Sequence, residues 1–247
     1  MQRALLALTL LVSACTSDDA TTGEDAGGGE DGGGGGTDGG ETCSGAPSSG
    51  SGEATYYDAD GTGNCSFPAD PTFLVAAMNT ADYGTADYCG ACVEVTGPRG
   101  SVVVRIVDRC PGCAKGDLDL SQTAFEAIAP LSAGRVDISW REAPCPVSGD
   151  LSYELKSGSS QYYAAIQVRN ARYRVKKFEV AAAGTGQYDE VDRVVYNYFV
   201  ATQGLGKGPF DFRTTDSRGH VVEDTNIMLG DGVVRVGHAQ FATCSGD

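Results

Sequence analysis

Apolar and polar positions alternate over short stretches through most of this chain and seldom recur at helical spacing. Residues 53–57 and 92–96 read as short strands, and residues 73–79 as a buried segment. Residues 102–107 are β-branched and apolar apart from Arg105, the pattern of a buried strand. Side chains alternate along a strand, so Asp108 is expected to follow Val104 and Ile106 onto one face. Cys110-Pro111-Gly112-Cys113 is a turn by composition, and Gly97-Pro98-Arg99-Gly100 a hairpin turn. Beyond Cys113, Leu118 and Leu120 alternate with Asp117, Asp119 and Ser121, giving one apolar face and one polar face. Ser121 is suited to cap a short helix over residues 122–129, with Phe125 and Ile128 on one side. Residues 136–140 add a last strand. One short helix among many short strands predicts a compact barrel.

Ala143-Pro144-Cys145-Pro146 is a rigid connector and marks a domain boundary. After it, β patterns at 151–156, 164–169, 175–180, 196–201, 210–214, 221–225 and 233–239 are separated by turn residues, which predicts a β-sandwich. The domains expected are therefore 53–145 and 146–247. Ahead of them, residues 1–14 carry Arg3 and an apolar run too short to span a bilayer, as in a signal peptide. Val12-Ser13-Ala14-Cys15 resembles a bacterial lipobox, which implies lipidation of Cys15; an ordinary signal peptide and a secreted protein is the alternative. Thr16 and Ser17 after the cysteine favour the outer membrane or cell surface, with membrane contact only through the lipid. Residues 15–52 are Gly, Asp, Glu, Ser and Thr for the most part, and read as a disordered tether.

The chain has 247 residues, enough for two domains of about 100 residues each. Its net charge of −15 lies on the tether and first domain, with the second near neutral. Neither domain is basic, which argues against nucleic acid as a partner. Of nine cysteines, eight remain once Cys15 is set aside. Cys89 and Cys92 with Cys110 and Cys113 have the outline of a four-cysteine zinc site. Export favours disulfides instead, so no metal and no cofactor are expected. His220 and His238 stand alone in strand-like context, as core or surface residues rather than ligands. Asp119 is a candidate pocket carboxylate whose proton affinity Asp117, on the same face, would raise. Such an acid can protonate or hydrogen-bond a glycosidic oxygen. Solvated loop acids are the plainer alternative.

Several motifs together resemble the bacterial expansin family, across nearly all of residues 53–244. In the first domain they are Ala54-Thr55-Tyr56-Tyr57, Cys89-Gly90, residues 107–113, and Gly116-Asp117-Leu118-Asp119-Leu120-Ser121 followed by Ala124-Phe125. In the second they are residues 158–170, Tyr196-Asn197 and Thr215-Asp216. The resemblance implies an all-β protein. A six-stranded double-psi β-barrel with a short helix would precede an immunoglobulin-like β-sandwich, a carbohydrate-binding module of family 63. It implies a monomer that binds cellulose and other wall polysaccharides and loosens their non-covalent contacts without net hydrolysis. The family's essential aspartate falls on Asp119, a supporting aspartate on Asp108 and a groove threonine on Thr55. Its aromatic platform falls on Tyr162, Tyr163 and Tyr196, with Lys156 nearby. Two departures stand out: the paired platform tryptophans of well-known members are tyrosines here, and a groove aromatic of some members is Cys110.

On a regular strand Tyr162 is in phase with Ile166 and Val168, whereas Tyr163 is in phase with Gln167 and Arg169 and should be exposed with them. Both tyrosines can face one glycan only if the strand is bulged or begins after them. Two other functions stay open. The barrel also resembles family-45 glycoside hydrolases, with Asp58 near the place of their general base and Asp119 as acid, or a lytic transglycosylase working through Asp119 alone. A wall-glycan adhesin is the other. By the pattern of related plant proteins Cys65 pairs with Cys89 and Cys92 with Cys145. Cys110 and Cys113 are then left across a short turn, and Cys43 and Cys244 at the two ends.

Overall fold

In a computed structural model, which describes residues 43–72 and 74–245, six strands close into a barrel. They are β1 (Ser49–Tyr57), β2 (Val75–Asn79), β3 (Cys92–Gly97), β4 (Gly100–Cys110), β5 (Leu118–Ser121) and β6 (Val136–Ala143). Around the barrel the order is β1-β5-β2-β4-β3-β6, with β1/β5 and β2/β4 parallel and the other pairs antiparallel. The signal segment, Cys15, Phe73 and most of the tether lie outside the described residues. Two helices border the barrel. α2 (Gln122–Ile128) is capped by the Ser121 hydroxyl accepting from Ala124 N–H, and buries Phe125 and Ile128. α1 (Thr80–Tyr83) was not legible as a helix; Asn79 caps it by accepting from Asp82 N–H. A 3₁₀ turn at Leu131–Ala133 adds a third short helical piece.

The tether ends earlier than its composition suggests. β1 begins at Ser49, and Ser44 and Gly45 N–H groups already bond to the Arg218 carbonyl. Gly50 is glycine because a Cβ there would meet the Trp140 ring at 2.6 Å. Small residues that look like a solvated linker are here a close approach between strand and core.

The remaining strands form two four-stranded sheets. One contains β7 (Ser152–Leu155), β8 (Ala164–Arg169), β11 (Phe199–Ala201) and β14 (Val233–Val236); the other β9 (Val175–Ala182), β10 (Asp189–Glu190), β12 (Phe210–Asp216) and β13 (Val221–Ile227). Phe178 is central to their core, with ring centroids 5.1 Å from both Phe199 and Phe212. The barrel and the two sheets make one compact unit.

The strand expected over 196–201 starts only at Phe199. Asn197 has a φ of 64°, which no strand accommodates, and its N–H closes a turn onto the Val194 carbonyl. β8 likewise begins at Ala164, after both Tyr162 and Tyr163, so strand alternation does not govern them. Gln167 and Arg169, expected to be exposed, face the barrel instead. Gln167 is fully buried, donating to the Cys65 carbonyl at 2.8 Å.

Candidate functional site

The parallel register of β1 on β5 sets Thr55 opposite Asp119. The Thr55 hydroxyl donates to Asp119 Oδ1 at 2.6 Å. Burial pushes the Asp119 carboxyl up; the Thr55 bond and the Arg135 charge pull it back, the Asp108 charge adds to the rise, and the net is upward. The like-charge neighbour is therefore Asp108, not Asp117. The Asp117 carboxylate turns away to accept from Glu53 N–H at 2.8 Å and Ala114 N–H at 3.0 Å, where it ties the turn to β1.

Asp108 does not follow Val104 and Ile106 into the core. The pairing of β2 with β4 slips one residue between Ala76 and Ala77, so Val107 is the extra residue and is buried as well. A bulge of this kind re-aims the next side chain. Asp108 Oδ1 then accepts from Asn64 N–H at 2.6 Å and Arg109 N–H at 2.8 Å. Asp58 is exposed one residue past the end of β1 and outside this set of bonds. Tyr57, which the motif reading passed over, belongs with the groove. Its hydroxyl is buried with no hydrogen-bond partner among the described residues. Burial, then the charges of Asp108, Asp119 and Asp60, hold it well above the usual phenol value, so it stays protonated. It closes the Ala54-Thr55-Tyr56-Tyr57 motif, so its signal was present.

On the sandwich, Tyr162 is 75% exposed and Tyr196 36%. Burial, followed by the nearby Tyr196 hydroxyl, raises the Tyr163 phenol. The Tyr196 ring lies 5.9 Å from that of Tyr198, and Lys156 Nζ sits 5.6 Å over the Tyr198 ring. Tyr162 stands on an exposed turn beside Gly206 and Lys207.

Residues 49–140 match a family model described as lytic transglycolase. Expansin-YoaJ of Bacillus subtilis is 39% identical over 202 residues, 77% of this chain and 85% of that protein. The chain belongs to the bacterial expansin family. Its closed barrel is the expansin double-psi barrel, followed by additional β-sheets. The crystal structure of apo Clavibacter michiganensis expansin aligns with a TM-score of 0.71 at 33% identity, covering 78% of this chain and 98% of that one. A mutant of the Clavibacter expansin in complex with cellohexaose gives the same TM-score at 32% identity. Expansin-like protein 1 of Dictyostelium discoideum is 30% identical over 196 residues, 74% of this chain and 68% of that protein.

Four disulfides brace this expansin: Cys43–Cys244, Cys65–Cys89, Cys92–Cys145 and Cys110–Cys113. The cysteines with zinc-like spacing are thus held in three separate bonds. Among the described residues, Cys43, His220 and Cys244 bring donor atoms within 4.8 Å, but the two sulfurs are bonded to each other. His220 Nδ1 is 2.7 Å from Asp216 Oδ2, so this histidine is partnered, with its side chain 8% exposed.

Between barrel and sandwich runs a polar seam. Glu142 accepts from Arg174 Nε at 2.9 Å, the Ser217 hydroxyl at 2.9 Å and Ser48 N–H at 3.1 Å. Burial pushes its carboxyl up, but Arg174, Ser48 and Ser217 outweigh that and hold it below the usual range. Arg193 packs over the Phe199 ring and donates to the Ala86 carbonyl at 2.8 Å. Burial lowers its pKa to about 10, which leaves it charged at neutral pH.

Proposed function

We propose that this expansin binds cellulose-rich walls and loosens non-covalent polysaccharide contacts without net hydrolysis. In this reading Asp119 is the working residue, with Thr55 and Asp108 supporting it. Tyr162, Tyr163 and Tyr196, with Lys156, form the binding platform. The observation that carries the reading is the Asp119–Thr55 pair, a half-buried carboxyl biased toward its protonated form. A protonated carboxyl can donate a hydrogen bond to a glucan oxygen and so compete with chain-to-chain bonds. Net hydrolysis by inversion also needs a second carboxylate poised to activate water. Asp58, exposed beyond β1 and with no hydrogen bond or ion pair to orient it among the described residues, is poorly suited to that task. The cellohexaose complex of the related expansin supports a β-1,4-glucan as ligand. Export with a lipid on Cys15, and action as a monomer, complete the proposal.

Wall extension and soluble-sugar release by the purified protein test it together. Extension without sugar is expected. Sugar release lost in both Asp58→Ala and Asp119→Asn would replace it with a hydrolase. Binding with neither extension nor release would make the protein an adhesin. One second reading has an observation of its own: the match of residues 49–140 to the transglycolase family model. It requires soluble fragments from peptidoglycan that vanish in Asp119→Asn.

A further inference from the structure

The loop after β1 lies between the groove and the tyrosine turn. Gly63 rests on Asp108, where a Cβ would meet the Asp108 side chain at 2.5 Å. The next residue, Asn64, bonds in both directions. Its main-chain N–H donates to Asp108 Oδ1 at 2.6 Å. Its side-chain amide donates to the Val195 carbonyl at 2.8 Å and to the Tyr83 hydroxyl at 2.8 Å. That hydroxyl, on a fully buried side chain, donates in turn to the Val195 carbonyl at 2.8 Å. Ser66 continues the link, its hydroxyl donating to the Tyr196 carbonyl at 3.0 Å. Asn197 and Gln167 both donate to the Cys65 carbonyl, and Cys65 N–H bonds back to the Val107 carbonyl. One short segment thus holds Asp108 and its neighbour Val107 on one side, and Tyr196 with both of its neighbours on the other.

We propose that Asn64 is a positioning residue that fixes the Tyr196 turn relative to Asp108, so that groove and tyrosine platform engage a single glucan chain together. This rests on the function proposed above. A carboxylate in a bulged strand and a tyrosine in an irregular turn have no regular structure in common to set their spacing. The asparagine side chain supplies it, because its amide can donate two bonds at once. Two subsites held in fixed relation make the second contact intramolecular, so affinity keeps rising with chain length beyond what one subsite covers. If the turn moves freely, that gain is lost while each subsite still binds on its own.

The test is calorimetric binding of cellotriose and cellohexaose to the full protein, for wild type, Asn64→Ala, Asn64→Asp and Tyr83→Phe. In Asn64→Ala the hexaose-to-triose affinity ratio should fall about fivefold, the effect of one lost hydrogen bond. Triose affinity should stay within about twofold on the same basis. Asn64→Asp, which keeps the size but loses the donors, should behave alike, and Tyr83→Phe more mildly. An unchanged ratio in Asn64→Ala overturns the proposal. A parallel fall for both oligosaccharides with a lowered melting temperature also overturns it, since that is the mark of a merely structural residue. Wall extension by wild type and Asp119→Asn is measured alongside. Its absence in wild type would count against the proposed function, while the length dependence would still decide the role of Asn64.

Discussion

In the barrel groove, side chains from separate strands are tied to one another: Thr55 to Asp119, Asp108 to the Asn64 and Arg109 amides. On the tyrosine face the side chains stand on turns, and the most prominent, Tyr162, is largely in water. The groove has low exposure, fixed hydrogen bonds and a shifted carboxyl. The face offers apolar ring area on exposed turns. Fixed polar groups in a desolvated site can act on particular oxygens of a sugar. Exposed rings can stack on any pyranose face and care little about register. The contrast assigns chemistry to the groove and adhesion to the face, and substitutions on either side can break it.

The largest effect is expected in the groove. Asp119→Asn keeps the shape and an acceptor for the Thr55 hydroxyl but cannot exchange a proton. It should abolish wall extension and leave cellulose pull-down unchanged. Extension at the wild-type rate would remove Asp119 from its role. The wild-type pH profile sharpens the point. A raised carboxyl stays protonated to higher pH, so extension should fall as pH rises through that value.

Next comes the face. Replacing Tyr162, Tyr163 and Tyr196 together by Ala should weaken cellulose binding about a hundredfold, at about 1 kcal/mol per ring. Retained pull-down with an unchanged circular dichroism spectrum would move adhesion to the barrel.

The two regions also differed in how far the sequence revealed them. The apolar periods of β3, β6, β8 and β12 are strong, and so is the capped α2, because burial on a regular element writes a regular pattern. Asp119 was readable for the same reason, since it alternates with Leu118 and Leu120. The face of Asp108 and the strand expected at Tyr196 were misread where the backbone leaves its regular path, at the β4 bulge and at the left-handed Asn197. The family resemblance named both residues but could not supply their geometry. Asn64 carried no signal at all: in Gly61-Thr62-Gly63-Asn64 it reads as turn composition, and its partners are 44 and 131 positions away.

The smallest expected effect concerns two carboxyls that shift in opposite directions, half-buried Asp119 in the groove and buried Glu142 in the seam. Glu142 is depressed, so its contribution to stability is complete above the ordinary glutamate value of about 4.3. It is lost as pH falls through the lower folded value. Asp119 is raised, so its contribution is complete below about 3.9 and is lost as pH rises through the higher folded value. In Glu142→Gln the bonds to Arg174, Ser217 and Ser48 lose their charge, which should cost about 2 kcal/mol at neutral pH, as for hydrogen bonds to charged groups. That cost should shrink as pH falls through the lowered folded value of Glu142. Asp119→Asn should show the reverse, with its largest gain over wild type at neutral pH. Urea unfolding of the three proteins from pH 3 to pH 7 measures all of this. If Glu142→Gln loses stability in acid in parallel with wild type, Glu142 is not the group that holds the seam, and the contrast between a raised groove carboxyl and a depressed seam carboxyl fails with it.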